Sequence, residues 1–195
     1  MRFHHSLAEI LGNPVRLKVL RALSRSSGGS LTGRELARRL SASTSQTIRA
    51  LEQLEMAGVV HREIAGKAHL WQLSREHVLF GTLSRLFADE AGALSLLEQD
   101  LKVALGKLPV ERAWVFGSVA RGDERPTSDV DLFVEVKSAG DRKIVEDSLG
   151  ALSFQFARRF GNPLSTIVAH TLPPRSRANS ELFRRVQQEG LPLTE

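Results

Sequence analysis

A short apolar segment that ends in Gly-Ser, followed by a second apolar segment that opens with two aspartates, constrains the fold of this chain more than any other feature. Residues 113–116 read Ala-Trp-Val-Phe and predict a strand that stops at Gly117 and Ser118. Residues 128–136 predict a buried strand with Asp129 and Asp131 near its start. Because residues two apart in a strand lie on the same face of the sheet, the two carboxylates are expected side by side.

Paired carboxylates beside a Gly-Ser turn are typical of a site for a nucleotide and its metal ion. Carboxylates supply the oxygen ligands that Mg²⁺ prefers while it bridges the phosphates of a substrate. A glycine permits a tight turn and close approach of a phosphate, and a helix that begins at Ser118 offers N–H groups and a hydroxyl to phosphate oxygens. We therefore predict a Mg²⁺–nucleotide site. Its catalytic and metal-binding residues are Asp129 and Asp131, and its nucleotide-binding residues are Gly117, Ser118, Arg121 and Ser128.

The same residues carry a resemblance to a known superfamily. Gly117-Ser118 through Arg121-Gly122, together with Ser128-Asp129-Val130-Asp131-Leu132, resemble the signature of the DNA polymerase beta nucleotidyltransferases, specifically of their minimal branch. The resemblance covers roughly residues 106–195 and implies a small mixed sheet flanked by helices. The elements expected after the second strand are a helix near 141–159, a third core strand near 163–169 and a last helix near 179–188.

One group that the resemblance implies is missing. Active members of the superfamily usually carry a third carboxylate on a later strand, which completes metal coordination and helps to deprotonate the attacking hydroxyl. The matching segment, residues 163–170, reads Pro-Leu-Ser-Thr-Ile-Val-Ala-His and holds no Asp or Glu. Glu135 is expected on the same face of the strand as Asp131, but two pleats further along it. His170, at the end of the later strand, is an alternative base. The sequence therefore predicts nucleotide binding with weak or no catalysis.

The first 75 residues show a different pattern, that of three helices followed by a hairpin. Apolar residues recur at helical spacing from Leu7 to Leu23, with an interruption at Asn13-Pro14. Candidate caps precede the helices and a glycine ends the last of them: Asn13, Thr32, Ser43 or Thr44, and Gly58. Two short strands, 59–64 and 68–73, flank a turn at 65–67. This order predicts a winged helix-turn-helix.

Charge and helix faces indicate that this first part contacts a polyanion. Residues 1–75 carry 12 lysines and arginines against 5 acidic residues, a net charge of +7 in a chain whose total is +5. On the third helix, Thr47, Leu51 and Leu54 are predicted to face the core. We expect the opposite face to read bases of double-stranded DNA. The candidate DNA-binding residues are Ser45, Gln46 and Arg49 for bases, and Arg38, Arg39, Arg62 and Lys67 for phosphates. The alternative is a solvated face that packs against a protein partner.

A second resemblance supports the DNA hypothesis. Residues 11–20 (Leu-Gly-Asn-Pro-Val-Arg-Leu-Lys-Val-Leu) and 51–60 (Leu-Glu-Gln-Leu-Glu-Met-Ala-Gly-Val-Val) resemble winged-helix regulators of the ArsR/MarR type. The resemblance covers about residues 7–75 and implies a DNA-binding transcription regulator. Metal-sensing members use clusters of Cys or His, and Cys is absent from this chain.

Between the two patterns, residues 76–105 predict a long helix in which Gly92 is a weak point. Leucines recur on one side of it: Leu79, Leu83, Leu86, Leu94, Leu97 and Leu101. This stripe is either a core face or the seam of a homodimer, which a palindromic DNA site would favour. The expected organisation is α+β: a winged helix-turn-helix domain at 1–75, a helical linker at 76–105 and a small mixed-sheet nucleotidyltransferase-like domain at 106–195.

Composition excludes several other classes. A chain of 195 residues with 42% hydrophobic and 25% charged residues has enough apolar material for a folded core. Without Cys, disulfide scaffolds, thiolate zinc sites and cysteine nucleophiles are excluded. No apolar run approaches the roughly 20 residues of a membrane helix, and the first residues lack a signal-peptide core. We therefore expect a cytoplasmic protein without a membrane partner.

Two functional hypotheses follow. In the first, the chain is a DNA-binding transcription regulator whose nucleotidyltransferase-like domain binds a Mg²⁺–nucleotide. In the second, it is an enzyme that moves a nucleoside monophosphate from a nucleoside triphosphate to a protein or small molecule, as antitoxins and antibiotic-modifying members of the superfamily do. The missing carboxylate favours the first hypothesis. Action on nucleic-acid ends is a weaker third, because no large template or primer domain fits in the remaining residues.

Overall fold

The structure is a computed structural model that describes residues 10–26, 29–125, 127–170 and 177–194. The chain forms two compact units, Met1–Gly92 and Ala93–Glu195. The division falls inside the segment 76–105, which the sequence analysis expected to be a linker. Within the described ranges, none of the helices combines the length and apolar character that crossing a membrane requires.

The first unit consists of short helices and a three-stranded sheet. Its elements in chain order are α1 (Pro14–Ser24), β1 (Leu31–Thr32), α2 (Gly33–Arg39), α3 (Thr44–Met56), β2 (Val60–Ala65) and β3 (Ala68–Leu73). All pairings in the sheet are antiparallel, in the order β1-β3-β2. The hairpin was predicted, whereas β1, which pairs with β3 at Leu31 and Trp71, was not. The expected helical stretch from Leu7 lies outside the described residues, apart from Ile10 and Leu11.

The predicted caps begin the three helices of this unit. Oδ1 of Asn13 accepts hydrogen bonds from the backbone N–H groups of Val15 and Arg16, at 2.9 and 3.2 Å. The hydroxyls of Thr32 and Ser43 each accept one backbone N–H three residues further on, at 3.2 Å. Each cap satisfies a donor that has no partner within its helix. Of the two candidates for α3, Ser43 is the cap.

A single apolar core holds the first unit together. Trp71 of the hairpin, Leu36 of α2 and Leu51 of α3 are buried within it. Leu83 and Phe87, from the helix that follows the hairpin, belong to the same core. Burial of these side chains from water supplies most of the stability of such a unit. The arrangement of three helices and a hairpin confirms the predicted winged helix-turn-helix architecture.

The long helix α4 (Phe80–Leu105) contributes to both cores. Leu83 and Phe87 pack in the first unit, and Leu97, Leu101 and Leu105 in the second. The helix continues through Gly92 without a break. The predicted leucine stripe is therefore a core face at Leu83, Leu97 and Leu101. Two of its members are exposed, Leu86 by 46% and Leu94 by 39%.

The second unit is a four-stranded mixed sheet with helices. Its elements in chain order are β4 (Val110–Phe116), α5 (Gly117–Arg121), β5 (Val130–Val136), α6 (Ala139–Phe160), β6 (Leu164–Ala169), α7 (Arg177–Glu189) and β7 (Leu191–Pro192). The strand order is β6-β5-β4-β7, and only β5 and β6 are parallel. The expected helices and third core strand are confirmed. The two-residue strand β7, which pairs with β4, was not predicted.

The two faces of this sheet have different roles. Leu132 and Val134 point into the core that α6 covers with Val145 and Leu149. The intervening residues of β5 point to the other face, because side chains alternate along a strand. That face carries Asp131, then Phe133 against Trp114 and Phe183, and then Glu135. The alternation therefore places the first carboxylate of β5 at the open end of this face.

Candidate functional site

The paired aspartates lie at the start of β5, as predicted. Asp129 is exposed just before the strand, and Asp131 is half-buried as its second residue. Burial raises the pKa of Asp131, and the negative charge of Asp129 raises it further. A hydrogen bond from the hydroxyl of Ser165 and the positive charge of Arg121 act in the opposite direction. The two carboxylates therefore form a local concentration of negative charge that a cation would relieve.

Gly117 is required beside these carboxylates for two independent reasons. Its φ is +72°, a conformation that side chains with a Cβ rarely adopt. A Cβ at this position would also collide with Oδ2 of Asp131 and would lie 3.1 Å from its Cγ. The Asp131 carboxylate thus occupies the space beside Gly117 that a side chain would need.

Ser118 and Arg121 lie on the short helix α5. The residue before this helix, Phe116, makes no side-chain hydrogen bond to its first turn, so these N–H groups have no capping side chain. Ser118 is half-buried. The guanidinium of Arg121 pairs with Asp123 at 3.2 Å and with Glu189 of α7 at 3.6 Å. Arg121 would have to exchange these carboxylates for a phosphate in order to bind a nucleotide.

Ser128 supports the loop that leads into β5. Its hydroxyl accepts a hydrogen bond from the backbone N–H of Arg125 at 2.9 Å. Its carbonyl accepts one from Nδ2 of Asn162 at 2.6 Å. Asn162 therefore helps to position the neighbouring Asp129, a role that sequence analysis did not find because the two residues are far apart in the chain.

A hydroxyl occupies the place expected for a third carboxylate. In the parallel pairing of β5 with β6, Ser165 lies opposite Asp131, while Thr166 lies opposite Leu132 and hence on the other face. Glu135 cannot substitute, since it is 5% exposed and its Oε2 lies 2.6 Å from Nε of Arg112. Among the described residues, no group of three or more His, Asp or Glu is arranged to hold a metal ion.

The alternative base, His170, lies at the wrong end of its strand. It follows the last residue of β6, whereas Ser165 is near the first. Five residues of extended chain span about 16 Å, so His170 lies far from Asp131. The site therefore consists of two carboxylates and the hydroxyls of Ser118 and Ser165. Oxygen donors of this kind suit Mg²⁺.

The exposed face of α3 has the composition expected for DNA contact. Thr47, Leu51 and Leu54 are buried, which confirms the predicted core face. Ser45, Gln46 and Arg49 are all exposed on the remaining surface. In the described part of the chain, the side chains of Gln46 and Arg49 make no hydrogen bond or ion pair that would hold them back from a ligand.

The candidate phosphate-binding cations differ in how strongly they are held. Arg39 pairs with Glu35 at 2.6 Å within α2. Arg62 pairs with Glu55 at 3.4 Å, and its guanidinium lies 5.5 Å from the ring centroid of Trp71. Arg38, at the end of α2, and Lys67, at the tip of the hairpin, are exposed and have no ion pair among the described residues.

Comparison with known proteins finds a family that resembles most of the second unit. Residues 97–171 match the model of the nucleotidyltransferase domain family. This segment is therefore similar to nucleotidyltransferase domains. The match contains the Gly-Ser turn, Asp129, Asp131 and the whole of β6, and it confirms the resemblance seen in the sequence. No curated protein matches the chain.

Several solved structures are similar to this chain over less than half of its length. Reduced HlyU from Vibrio cholerae is 25% identical, covers 42% of this chain and 80% of its own, and has a TM-score of 0.36. The transcriptional repressor BigR from Xylella fastidiosa is 20% identical over 43% and 76%, with a TM-score of 0.36. The homodimeric winged helix-turn-helix DNA-binding domain of Mb0332 from Mycobacterium bovis, a possible ArsR-family regulator, is 22% identical over 48% and 81%, with a TM-score of 0.37.

The close approach at Gly117 is tested by comparing it with a second glycine. Gly122 has a φ of +71°, and a Cβ added there would have no atom within 4 Å. Gly122→Ala therefore measures only the cost of holding alanine at a positive φ, about 1–2 kcal/mol. Gly117→Ala adds the collision with Asp131, and we expect it to cost about 1–3 kcal/mol more in the free energy of unfolding. Asp131→Ala in the Gly117→Ala background should recover most of the difference. Equal effects of the two glycine variants in denaturant unfolding would contradict the contact.

The raised pKa of Asp131 predicts the pH dependence of stability. A carboxyl whose pKa is raised on folding binds its proton more tightly in the folded state, so the free energy of unfolding falls as pH rises above 3.8, the ordinary value. Asp131→Asn removes this loss, and the variant should gain stability over the unmodified chain as pH rises towards 7. Denaturant unfolding across this range measures it, with Asp147→Asn, at an exposed position of α6, as the control. A variant less stable than the parent at pH 7 would contradict the assignment.

Proposed function

We propose that this chain is a DNA-binding transcription regulator whose nucleotidyltransferase domain binds a Mg²⁺–nucleotide and is weakly active or inactive as an enzyme. The observation that carries the proposal is the register of β5 and β6, which puts a serine hydroxyl beside Asp131 where catalysis calls for a third carboxylate. The domain keeps the groups for binding and lacks the one for efficient transfer.

The DNA-binding half of the proposal rests on the surface of the first unit. α3 exposes three polar side chains near its N-terminal end, where a recognition helix meets base edges in the major groove. Arg38 and Lys67 present charges that no described carboxylate neutralises. Phosphate contact would use these charges, because cations that replace the condensed counterions of DNA supply most of its non-specific affinity.

Substitutions of Arg49 and Lys67 should affect DNA binding differently. A binding sequence is first selected from random duplexes with the full chain. Arg49→Ala should then weaken binding to that sequence by about 1–3 kcal/mol and reduce discrimination between sequences. Lys67→Ala should weaken binding to all duplexes alike and lower the salt dependence. Fluorescence anisotropy measures both, with Arg142→Gln of α6 as a charge-matched control. If Arg142→Gln weakens binding as much as Arg49→Ala does, the assigned face is wrong.

The nucleotide-binding half rests on the groups around Asp131. Asp129, Asp131 and the hydroxyl of Ser165 provide oxygen donors on one edge of the sheet. Ser118 provides a hydroxyl on the neighbouring turn, where Gly117 lets the backbone approach closely. Mg²⁺ held there would compensate the negative charge of the phosphates. Without a third carboxylate, these residues hold the nucleotide but offer the acceptor hydroxyl no obvious base.

Exchange of the carboxylates tests this half directly. Asp129→Asn with Asp131→Asn should abolish the Mg²⁺ dependence of nucleotide binding and leave the fold intact, because two neighbouring negative charges are removed. Ser118→Ala should weaken binding by about 1 kcal/mol, the worth of a hydrogen bond. Calorimetric titration of the full chain with ATP, CTP, GTP and UTP, with and without Mg²⁺, gives both results. Absence of any nucleotide binding by the unmodified chain would overturn the proposal.

Introducing the missing third carboxylate tests whether the chain is a regulator with a weakly active domain or an active enzyme. Ser165→Asp should raise nucleotidyl transfer, followed as pyrophosphate release, by about 10²-fold or more, since it supplies the missing base and metal ligand. Thr166→Asp is the matched control on the opposite face and should raise nothing. Ser165→Asn should also have no effect, because it adds no charge. Rapid pyrophosphate release by the unmodified chain would instead establish the second candidate, an active nucleotidyltransferase that modifies a protein or small molecule.

The exposed leucines of α4 favour a homodimer. Leu86, Leu94 and Leu96 are 46%, 39% and 42% exposed, and burial against a second copy would remove apolar surface from water. A dimer would place two α3 helices for a two-fold symmetric DNA site. A DNA-binding regulator of this kind would act in the cytoplasm.

A further inference from the structure

A cleft in the first unit is lined by four cationic side chains and includes no residue of α3. Its volume is about 270 Å³, and it lies between α1 and the end of α2. The lining residues are Lys18, Arg21, Ala22, Arg25, Arg39 and Leu40. Like charges around a concave surface repel one another, and an anion in the cleft would reverse the sign of that interaction. Three of the four cations lie outside the predicted DNA-binding set.

Two carboxylates neutralise part of this charge. Glu90 of α4 accepts hydrogen bonds from Nε and Nη2 of Arg21 at 2.6 and 2.7 Å, and its Oε2 lies 3.9 Å from Nη2 of Arg25. Glu35 pairs with Arg39. Lys18 has no ion pair within the described ranges. Four cations and two carboxylates leave a charge of about +2, which complements the charge of a phosphate group.

The hydrogen bonds between Arg21 and Glu90 indicate which chemical group the cleft could bind. Arg21 offers two parallel N–H donors to two oxygens of one group, the geometry in which guanidinium binds carboxylate or phosphate. A phosphate presents the same pair of oxygens and further oxygens that Glu90 lacks. These additional oxygens would bind Lys18, which Glu90 does not contact, and Arg25, which lies 3.9 Å from Glu90.

We propose that this cleft binds a phosphate group, for which Glu90 competes at Arg21. The phosphate belongs to a small free anion or to the backbone of bound DNA, and these two sources give different experimental results. Binding of a free anion is independent of the function proposed above, whereas the DNA source rests on it.

Titration of the full chain with inorganic phosphate and pyrophosphate tests the free anion. In phosphate-free buffer with Mg²⁺ absent, Lys18→Gln and Arg25→Gln should each weaken binding about 10-fold, as expected for loss of a charged partner. Glu90→Gln should tighten it several-fold, because the competing carboxylate is gone. Arg85→Gln is the control, since Arg85 is exposed on α4 and, among the described residues, forms an ion pair with Asp89 alone, at 3.7 Å. Surface ion pairs contribute little to stability, so all four variants should fold.

Binding to a random-sequence duplex tests the DNA source. If the phosphate belongs to DNA, Lys18→Gln and Arg25→Gln should each lower the slope of log affinity against log salt by about one, and the anion titrations should show no heat. If it belongs to a free anion, the slope should match that of Arg85→Gln. The proposal is overturned if Lys18→Gln and Arg25→Gln behave like Arg85→Gln in both assays, or if Glu90→Gln weakens phosphate binding where it should tighten it.

Discussion

The proximity of Gly117 to the Asp131 carboxylate constrains how the chain leaves β4 at the candidate site of the second unit. Antiparallel pairing of β4 with β5 puts Phe116 opposite Asp131, so the chain must leave the sheet beside a charged side chain. Only a residue without a Cβ allows this exit, because the positive φ and the short distance to Asp131 both exclude a side chain. Burial of this carboxylate is the main reason that the pKa of Asp131 is raised.

Both units bring like charges together more closely than stability alone would favour. In the second unit, burial raises the pKa of Asp131, and the negative charge of Asp129 raises it further. In the first, four cations line one cleft, and only part of their charge is neutralised by Glu35 and Glu90. Charge that a fold leaves uncompensated marks a place where a ligand of opposite charge would bind. The negative site suits a metal ion and the positive cleft suits a phosphate.

Local patterns in the sequence were enough to predict the helices, the longer strands and the caps. Contacts that depend on the register between strands could not be predicted from the sequence. The caps Asn13, Thr32 and Ser43 act within three residues, so their side chains could be assigned directly. The placement of Asp129 and Asp131 together at the start of β5 follows from the two-residue period of a strand. By contrast, the choice between Ser165 and Thr166 needs the register of two strands that are some 30 residues apart in sequence, which periodicity does not contain. The link from Asn162 to Ser128 was missed for the same reason.

The leucine stripe shows where periodicity misleads even within one helix. The periodicity predicted that Leu86 lies on the apolar face of the helix. In the structure Leu86 is exposed, and the adjacent Phe87 is buried in the core of the first unit. A helical pattern of apolar residues predicts which face of a helix is apolar. Which residues on that face become buried depends on the elements that pack against it.

Helix α4 has a further consequence for how the two units are joined. All nine residues from Ala88 to Leu96 are exposed, so no core packs against the middle of the helix. Its continuity there depends on backbone hydrogen bonds and on good helix-forming residues. Local opening at this point would therefore cost far less than unfolding either unit, and it would break no contact of either core. The exposed segment spans about two and a half turns, so its own amino-acid sequence, rather than packing against a core, determines how much of the time it is helical.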